Sequence, residues 1–377
     1  MAAPWEGVVQ TTIANYMREV SDNTIRFQQF LALLQSKGNI IYNQGGTRFE
    51  WKVQFKQKQM QTYVDGQTPV FDRINRYQSP TLNYIAYQLP ESVTKLETLA
   101  NQAPEAIVSL MSGKAELLAK EMKQQFGSQF YVDGNASGNE NKLQGIESMM
   151  SISGAATNGY VGVNNDTYAG LSNALGAISG SWTLSGGSTT WPRGSGSVDY
   201  DYWTPPVALY DNTAFGSSAA WSNDSEEVLS FLIVHSHRNS GREGILDAFF
   251  LDRELYRQFM TFQRSRQRYE VSRGQPTTGE AGVLNGMSGG TLTSLGFPGV
   301  LYHDGVEVTQ EFDVLVNRGY GFNFDEMQML CNDDMLFKTE GPVWSTLLQA
   351  YLFFCGYYGQ LRINPRAQCA LRSTAGT

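Results

Sequence analysis

An alternating segment near the start of the chain constrains the fold more than any other feature. Residues 48–56 read Arg-Phe-Glu-Trp-Lys-Val-Gln-Phe-Lys, so that polar and apolar side chains alternate without a break. Successive side chains of a β-strand point to opposite faces, and strict alternation therefore predicts a strand with one apolar face. That face carries Phe49, Trp51, Val53 and Phe55.

A second β-prone segment, residues 81–89, predicts a return strand that pairs with the first one. A polar stretch without apolar periodicity separates the two strands. An isolated two-stranded hairpin is only marginally stable in water, and the neighbouring sequence offers little that could cover its apolar face. We therefore expect another copy of the protein to cover this face.

A long helix is predicted after the hairpin. Pro104 suits the first turn of a helix, where its missing N–H costs nothing. Apolar residues then recur at steps of three or four, as expected for one buried stripe. The stripe consists of Ile107, Leu110, Met111, Ala115, Leu118, Met122, Phe126 and Phe130. The predicted helix from Pro104 to Phe130 is roughly 40 Å long at 1.5 Å per residue.

The composition excludes several classes of protein. The 377 residues suit one large domain or two to three smaller ones. A net charge of −8 argues against a dedicated nucleic-acid binder, which needs clustered Lys and Arg to neutralise phosphates. The three cysteines include no CxxC pair, which indicates free buried thiols in a reducing compartment.

Targeting signals are not evident in the sequence. The N-terminus has neither the basic region nor the apolar region of a secretory signal. The longest apolar run, residues 351–355, is far shorter than the roughly 20 residues of a membrane-spanning helix. We therefore expect synthesis in the cytoplasm and no contact with a membrane.

The remaining segments give weaker predictions. Residues 1–40 resemble a mobile arm with a short helix, and residues 166–171 open a possible helix. The Ser/Gly/Thr-rich residues 179–197 indicate an exposed loop insertion. Residues 245–269 predict a helix bearing several arginines, which suit either a phosphate contact or, more simply, a solvated face or subunit contact.

Two motifs suggest chemistry, but their context does not support it. Residues 286–290 match the G-x-S-x-G nucleophile elbow around Ser288, yet their flanks read as loops. The only later histidine, His303, leaves no room for the intervening strand, acid and loop. His235 and His237 have no third ligand at a metal-site spacing. We expect no catalytic residue, no bound metal and no cofactor, and a soluble hydrolase using Ser288 is kept as the alternative from another class.

The order of these parts resembles the major capsid proteins of tailed bacteriophages, which have the Hong Kong 97-type (HK97) fold. The segments that carry the resemblance are residues 45–51, 104–131, 143–146 and 359–367. The resemblance implies an α+β fold with an N-terminal arm, an extended β-hairpin (the E-loop), a peripheral domain with a long spine helix, and an axial domain. The implied boundaries are 1–40 for the arm, 41–89 for the E-loop, 90–142 for the peripheral domain with the spine helix at about 104–131, 143–335 for the axial domain with an insertion near 179–225, and 336–377 for a C-terminal return to the peripheral domain.

The resemblance also implies a function. Copies of the protein would assemble into pentamers and hexamers of an icosahedral virion shell around packaged double-stranded DNA, which they would contact non-specifically. The implied partners are a scaffolding protein, a portal protein and a cement or decoration protein, with assembly in the host bacterial cytoplasm. Because the hairpin begins only about 40 residues from Met1, we expect no fused scaffolding segment, and we expect no Lys–Asn crosslink. A nanocompartment shell of the encapsulin type is the alternative within the same fold.

The expected interface residues fall into two groups. The apolar group is the strand face already described. The cationic candidates are Lys52, Lys56, Lys58, Arg73 and Arg76 on the hairpin and Arg264, Arg266 and Arg268 on the predicted helix. Charges on an exposed strand also oppose open-ended sheet growth.

Overall fold

The chain forms two compact units in the computed structural model. Unit 1 contains residues 1–49, 82–145 and 328–362, and unit 2 contains residues 50–81, 146–327 and 363–377. The structure describes residues 28–54, 60–71, 73, 75–100, 104–150, 167–173, 203–213, 215, 219–237, 246–266, 301–303 and 305–373. The chain is a mixture of helix and sheet, as the sequence predicts.

The described part of the chain has the following elements. The helices are α1 (Gln29–Ser36), α2 (Lys95–Ala100), α3 (Pro104–Gln129), α4 (Glu147–Met150), α5 (Trp221–His237) and α6 (Arg253–Arg266). The strands are β1 (Ile40–Ile41), β2 (Arg48–Glu50), β3 (Val53–Gln54), β4 (Tyr77–Gln78), β5 (Thr81–Asn83), β6 (Ile85–Thr94), β7 (Thr167–Tyr168), β8 (Leu171–Ser172), β9 (Val207–Leu209), β10 (Ala248–Leu251), β11 (Leu301–His303), β12 (Val306–Gln310), β13 (Arg318–Phe322), β14 (Met327–Ser345), β15 (Ala350–Ile363) and β16 (Cys369–Arg372).

Unit 1 is a four-stranded sheet with a long helix packed on it. The strand order is β1-β14-β15-β6. Strands β6 and β15 are antiparallel along their length, from Ile85 opposite Gly359 to Thr94 opposite Ala350. Helix α3 begins at Pro104, as predicted, and the second half of its apolar stripe is buried.

An aromatic cluster joins helix α3 to the sheet. The ring of Phe126 lies 5.5 Å from that of Tyr87 on β6 and 4.7 Å from that of Tyr357 on β15, measured between centroids. It also contacts Phe130 and Phe337 at 5.0 and 5.3 Å. Tilted and edge-on pairs of this kind add about 0.5–1.5 kcal/mol each beyond the burial of their area. The predicted helix and the predicted return strand therefore share one core.

Unit 2 has a six-stranded sheet with the order β11-β12-β10-β13-β16-β9. All four residues of β10 are fully buried, as expected for a central strand covered on both faces. Helices α5 and α6 pack together over this sheet, and the indole N–H of Trp221 donates to the carbonyl oxygen of Leu255 at 2.8 Å.

Three local predictions are wrong. Residues 245–269 are not one helix, because Ala248–Leu251 form strand β10 and the helix starts at Arg253. The short run 248–251 is apolar on every residue, and periodicity cannot distinguish such a strand from a buried helix turn. Residues 166–171 are not a helix start, because β7 and β8 pair as a hairpin around Ala169 and Gly170. The return segment 81–89 is not one strand of the hairpin, because the chain beyond Tyr84 belongs to β6 and pairs with β15.

The C-terminal region is divided between the two sheets. Strand β15 lies in the sheet of unit 1, whereas β16 pairs with β13 and β9 in the sheet of unit 2. The single segment 336–377 that the sequence suggested therefore contributes to both sheets.

We expect Gly359→Ala to destabilise unit 1. A Cβ at this position would lie 1.9 Å from the carbonyl oxygen of Leu330 on the adjacent strand β14. That oxygen also accepts a 3.2 Å hydrogen bond from the hydroxyl of Tyr357, so a shift of the strand would break a buried bond. Overpacking of a core in this way typically costs about 1–3 kcal/mol, which denaturant unfolding of the variant would measure.

Gly113→Ala is the matched control for this substitution. Gly113 lies on an exposed part of α3, and an added Cβ there would have no other atom within 4 Å. Alanine there should raise the free energy of unfolding by up to about 1 kcal/mol because it favours the helix. Equal effects of the two substitutions would contradict the close approach at Gly359.

Candidate assembly surface

The alternating segment forms the base of a hairpin, and residues 48–54 are called the root below. Phe49 is buried, with 7% of its surface exposed, and Trp51 and Val53 are half-buried. Glu50, Lys52 and Gln54 are exposed, and so the predicted alternation is confirmed over residues 48–54. Strand β2 pairs with β5 and strand β3 pairs with β4, in the register Val53 opposite Gln78.

The root of the hairpin is covered by the same chain. The Phe49 ring lies 4.1 Å from that of Tyr84, just past β5, and Trp51 lies 6.5 Å from Trp203. Trp203 is itself buried against Tyr168 on β7. The expectation that only another copy would cover this face is therefore wrong at the root, because sequence reasoning could not place Trp203 beside it.

The tip of the hairpin is different. Every residue from Met60 to Phe71, the segment called the tip below, is exposed. It carries several large apolar side chains, two of which are almost completely bare: Met60 is 97% exposed and Phe71 87%. The other apolar members are Tyr63, Val64 and Val70. Several large exposed apolar side chains on one loop make the tip a candidate contact surface, since single exposed apolar residues are ordinary but groups of them are not.

The tip has an internal hydrogen-bonded frame. The side-chain amide of Gln61 bonds to the backbone N–H and C=O of Val70, each at 3.1 Å. At the far end, the N–H of Gln67 donates to the carbonyl oxygen of Val64 at 3.0 Å. Gly66 has a φ of +85° in this turn, a conformation that glycine adopts without strain. The loop is thus closed at both ends by polar contacts, without an apolar core.

The hairpin also carries positive charge. Lys52 and Arg73 are exposed and Arg76 is half-buried. Arg73, Arg76, Asn75 and Tyr77 line an open recess of about 520 Å³ on the return arm. Arg73 and Arg76 therefore line the same recess, and their part in an interface stays a prediction.

Several predicted interface residues are not placed. Phe55, Lys56, Lys58 and Arg268 lie outside the described residues, and so does Ser288. Arg264 and Arg266 lie on helix α6, and nothing is described of their side chains. Their part in an interface stays a prediction.

A second exposed apolar surface, in unit 1, was missed by the sequence analysis. The backbone N–H of Lys95 donates to the carbonyl oxygen of Gln349 at 2.9 Å, which joins the start of helix α2 to the turn between β14 and β15. Exposed apolar side chains lie on both segments: Leu96, Leu99, Val343, Trp344, Leu347 and Leu348. Leu347 is 92% exposed. The signal that could have found it is the apolar pair Leu347-Leu348, which directly follows the polar residues 345 and 346.

A buried ionic cluster in unit 2 was also missed. Arg318, Tyr320 and Arg372 all donate hydrogen bonds to the carboxylate of Glu147, which is 3% exposed. Burial and the adjacent Glu147 charge raise the pKa of Tyr320 well above its usual value, so its phenol stays protonated and donates. Arg372 also donates to the carbonyl oxygen of Met150. One carboxylate therefore links helix α4 to strands β13 and β16.

The described residues offer little chemistry. The Nε2 atom of His303 lies 2.8 Å from the Oγ of Ser230 and 3.1 Å from the carbonyl oxygen of Glu226. A carbonyl oxygen only accepts, so Nε2 donates to Glu226 when it carries the ring proton and accepts from Ser230 when it does not. Burial raises the pKa of the Cys355 and Cys369 thiols, which disfavours the reactive thiolate.

The described residues form neither a metal site nor a membrane-spanning helix. Within the ranges given above, no group of three or more His, Cys, Asp or Glu side chains is arranged to hold a metal ion. Among the helices of those same ranges, none combines the length and the apolar character needed to cross a membrane.

The fold is that of known capsid proteins. No protein-family model matches the chain, and no curated protein matches it. The chain is similar to a solved structure titled as the capsid asymmetric unit of cyanophage A-1(L), at 13% identity over 97% of this chain and 99% of that one, with a TM-score of 0.58. It is also similar to the capsid of a native GTA particle, at 10% identity over 96% of each chain with a TM-score of 0.53, and to that of an empty GTA particle, at 10% identity over 95% and 100% with a TM-score of 0.51. The resemblance stated from the sequence is thus confirmed at the level of the fold.

We expect Glu147→Gln to lower the stability of unit 2 strongly. The substitution keeps the side-chain volume but removes the negative charge that faces the buried guanidinium of Arg372 and the half-buried one of Arg318. Breaking a buried ion pair in this way costs about 3–5 kcal/mol. Denaturant unfolding of the unassembled chain would measure the loss.

Glu227→Gln is the control for this change, since Glu227 is exposed on helix α5 of the same unit. It should change the free energy of unfolding by less than about 0.5 kcal/mol. A stability of Glu147→Gln equal to that of this control would contradict the proposed linking role.

Proposed function

We propose that the protein is the structural subunit of a phage capsid, in which many copies form a closed shell around double-stranded DNA. The observation that carries the proposal is the likeness of fold over nearly the whole of this chain and nearly the whole of each capsid chain. A shared domain alone would match part of a chain, whereas here the match covers nearly all of both chains. Fold by itself does not fix function, and so the surfaces must support the proposal independently.

The exposed surfaces fit a subunit that is completed by its copies. The tip of the hairpin and the Leu347 surface of unit 1 together expose more large apolar side chains than a monomer has reason to keep in water. Burying each such side chain stabilises an assembly by roughly 1.5–3 kcal/mol relative to its exposed state. In this proposal the tip lies against a second copy and supplies the contact that the sequence analysis assigned to the root.

The parts of the chain take their names from this proposal. The hairpin built on β2–β5 and β3–β4 acts as the E-loop, and helix α3 acts as the spine helix. Unit 1 corresponds to the peripheral domain and unit 2 to the axial domain, with residues 1–40 as the arm. The Ser/Gly-rich insertion near 179–225 belongs to the axial domain.

A contact between the tip of one copy and a different surface of the next copy can produce closed rings. A tip on one copy that meets a different surface on the next makes a heterologous interface, and such interfaces close into rings when the rotation permits. We propose pentamers and hexamers of this kind. The net charge of −8 fits a shell that encloses DNA without binding it tightly. Scaffolding, portal and decoration proteins are the expected partners, and assembly takes place in the bacterial cytoplasm.

The direct test is electron microscopy of the purified protein, expressed alone and together with the genes that flank its own. We expect closed particles of uniform diameter. Particles that enclose a co-purified enzyme would favour the nanocompartment alternative, whereas a monomer in both preparations would contradict a shell of either kind.

A substitution in the tip tests its role. We expect the double variant Met60→Ser, Phe71→Ser to stay unassembled while its thermal unfolding is unchanged, because both side chains are exposed and contribute nothing to the core. Sedimentation velocity would measure the fraction of protein in particles. Normal particles from this variant would rule out the tip as an essential contact.

Gln67→Ser is the control for this double variant. Gln67 lies in the same loop and is exposed, but it is polar. The control should assemble as the unaltered protein does, and its failure to assemble would attribute the effect to the loop as a whole instead of its apolar side chains.

A further inference from the structure

The two ends of the tip are joined at its neck, where the side-chain amide of Gln61 pairs with the backbone of Val70 as a second peptide group would. The Gln61 amide nitrogen Nε2 donates to the carbonyl oxygen of Val70, and the Val70 N–H donates to Gln61 Oε1, both at 3.1 Å. A primary amide has a donor and an acceptor side by side, and so it can reproduce the double hydrogen bond of two paired antiparallel residues. The chain between these residues is thereby closed into a loop.

The isolated subunit gains little stability from this closure. Both Gln61 and Val70 are exposed, and the loop between them buries no apolar side chain of its own. Exposed hydrogen bonds compete with water and contribute little net free energy. Fixing a loop of this length also costs conformational entropy.

The closure does fix the arrangement of the apolar side chains. Tyr63 and Val64 lie inside the loop, and Met60 and Phe71 flank its neck. A loop that is ordered before it binds loses less entropy when it binds, and so it binds more tightly with the same contacts. The turn at Gly66 orders the far end, whereas the near end depends on the Gln61 amide.

We propose that Gln61 is a positioning residue for assembly, which closes the tip so that its apolar side chains meet a second copy of the chain in a fixed arrangement. The inference rests on the proposed function, because a shell subunit supplies the second copy. It differs from that function in naming a polar residue, without any apolar surface to bury, as a determinant of the affinity between copies.

The experiment compares two pairs of variants that differ only in position. Gln61→Met removes the amide and keeps the length of the side chain, and Gln61→Glu replaces the donor with a carboxylate that faces the Val70 carbonyl. Gln67→Met and Gln67→Glu are the matched controls, since Gln67 is an exposed glutamine of the same loop and its side chain makes no hydrogen bond that is described within residues 60–71. The threshold concentration for assembly is measured by light scattering on dissociated subunits.

Both Gln61 variants should raise the assembly threshold by roughly 3- to 10-fold, the loss expected when the loop has to be ordered as it binds. Both Gln67 variants should leave it within about 2-fold of the unaltered protein. Thermal unfolding of the dissociated subunit should be the same for all four, because none of these side chains lies in a core.

A second measurement, amide hydrogen exchange at Val70, reports directly on the hydrogen bonds that close the loop. Amide hydrogen exchange at Val70 in the dissociated subunit should be several-fold faster in Gln61→Met than in Gln67→Met, since only the first loses the acceptor for that N–H. A role in general loop hydration would give equal exchange rates at Val70 in both variants.

Each outcome bears on one of the two claims. If the unaltered protein assembles and the Gln61 variants match the Gln67 variants in threshold or in Val70 exchange, the inference is overturned and the shell function stands. If the unaltered protein never assembles while Val70 exchange depends on Gln61, the shell function fails and the assembly role of Gln61 fails with it.

Discussion

The packing of helix α3 against the β6–β15 pair is the constraint on which the rest of unit 1 depends. Phe126 contacts aromatic rings from both strands, and this fixes β6 along its length. The chain enters β6 directly from Tyr84, whose ring packs on Phe49 and whose hydroxyl donates to the carbonyl oxygen of Gln44. Within unit 1, Phe49 at the start of the hairpin is therefore held beside the strand that forms the edge of the sheet.

The hairpin divides its apolar side chains between two tasks. Those at the root, Phe49 and Trp51, are covered by the same chain and contribute to folding. Those at the tip, such as Met60 and Phe71, remain in water and contribute nothing until a partner covers them. A subunit that buried all of them would be a stable monomer without a reason to assemble. In the proposed shell, the apolar side chains of the root stabilise the folded subunit, whereas those of the tip stabilise the contact between subunits.

The sequence was sufficient where local periodicity decides the structure. The alternation at 48–54 and the apolar stripe of helix α3 both arise from neighbours along the chain; the alternation is confirmed, and so is the stripe from Leu118 onward. It was insufficient where the partner is remote. Trp203 covers Trp51 from more than a hundred residues away, and Glu147 meets Arg318 and Arg372 from other strands of unit 2. No pattern of spacing in the sequence connects these residues, because the tertiary fold brings the carboxylate and the two guanidinium groups together.

Exposed apolar residues on a loop also risk association with wrong partners, and the tip contains residues that oppose it. Asp65 and Pro69 interrupt the apolar run, and Pro69 removes a backbone N–H that an added strand would need. Gly66 turns the chain sharply, and a turn of this kind does not extend a flat sheet edge. In the proposed shell, a partner would therefore accommodate the shape of the loop as a whole instead of adding a strand to it. A loop that is closed before it binds would present that shape with a smaller loss of entropy.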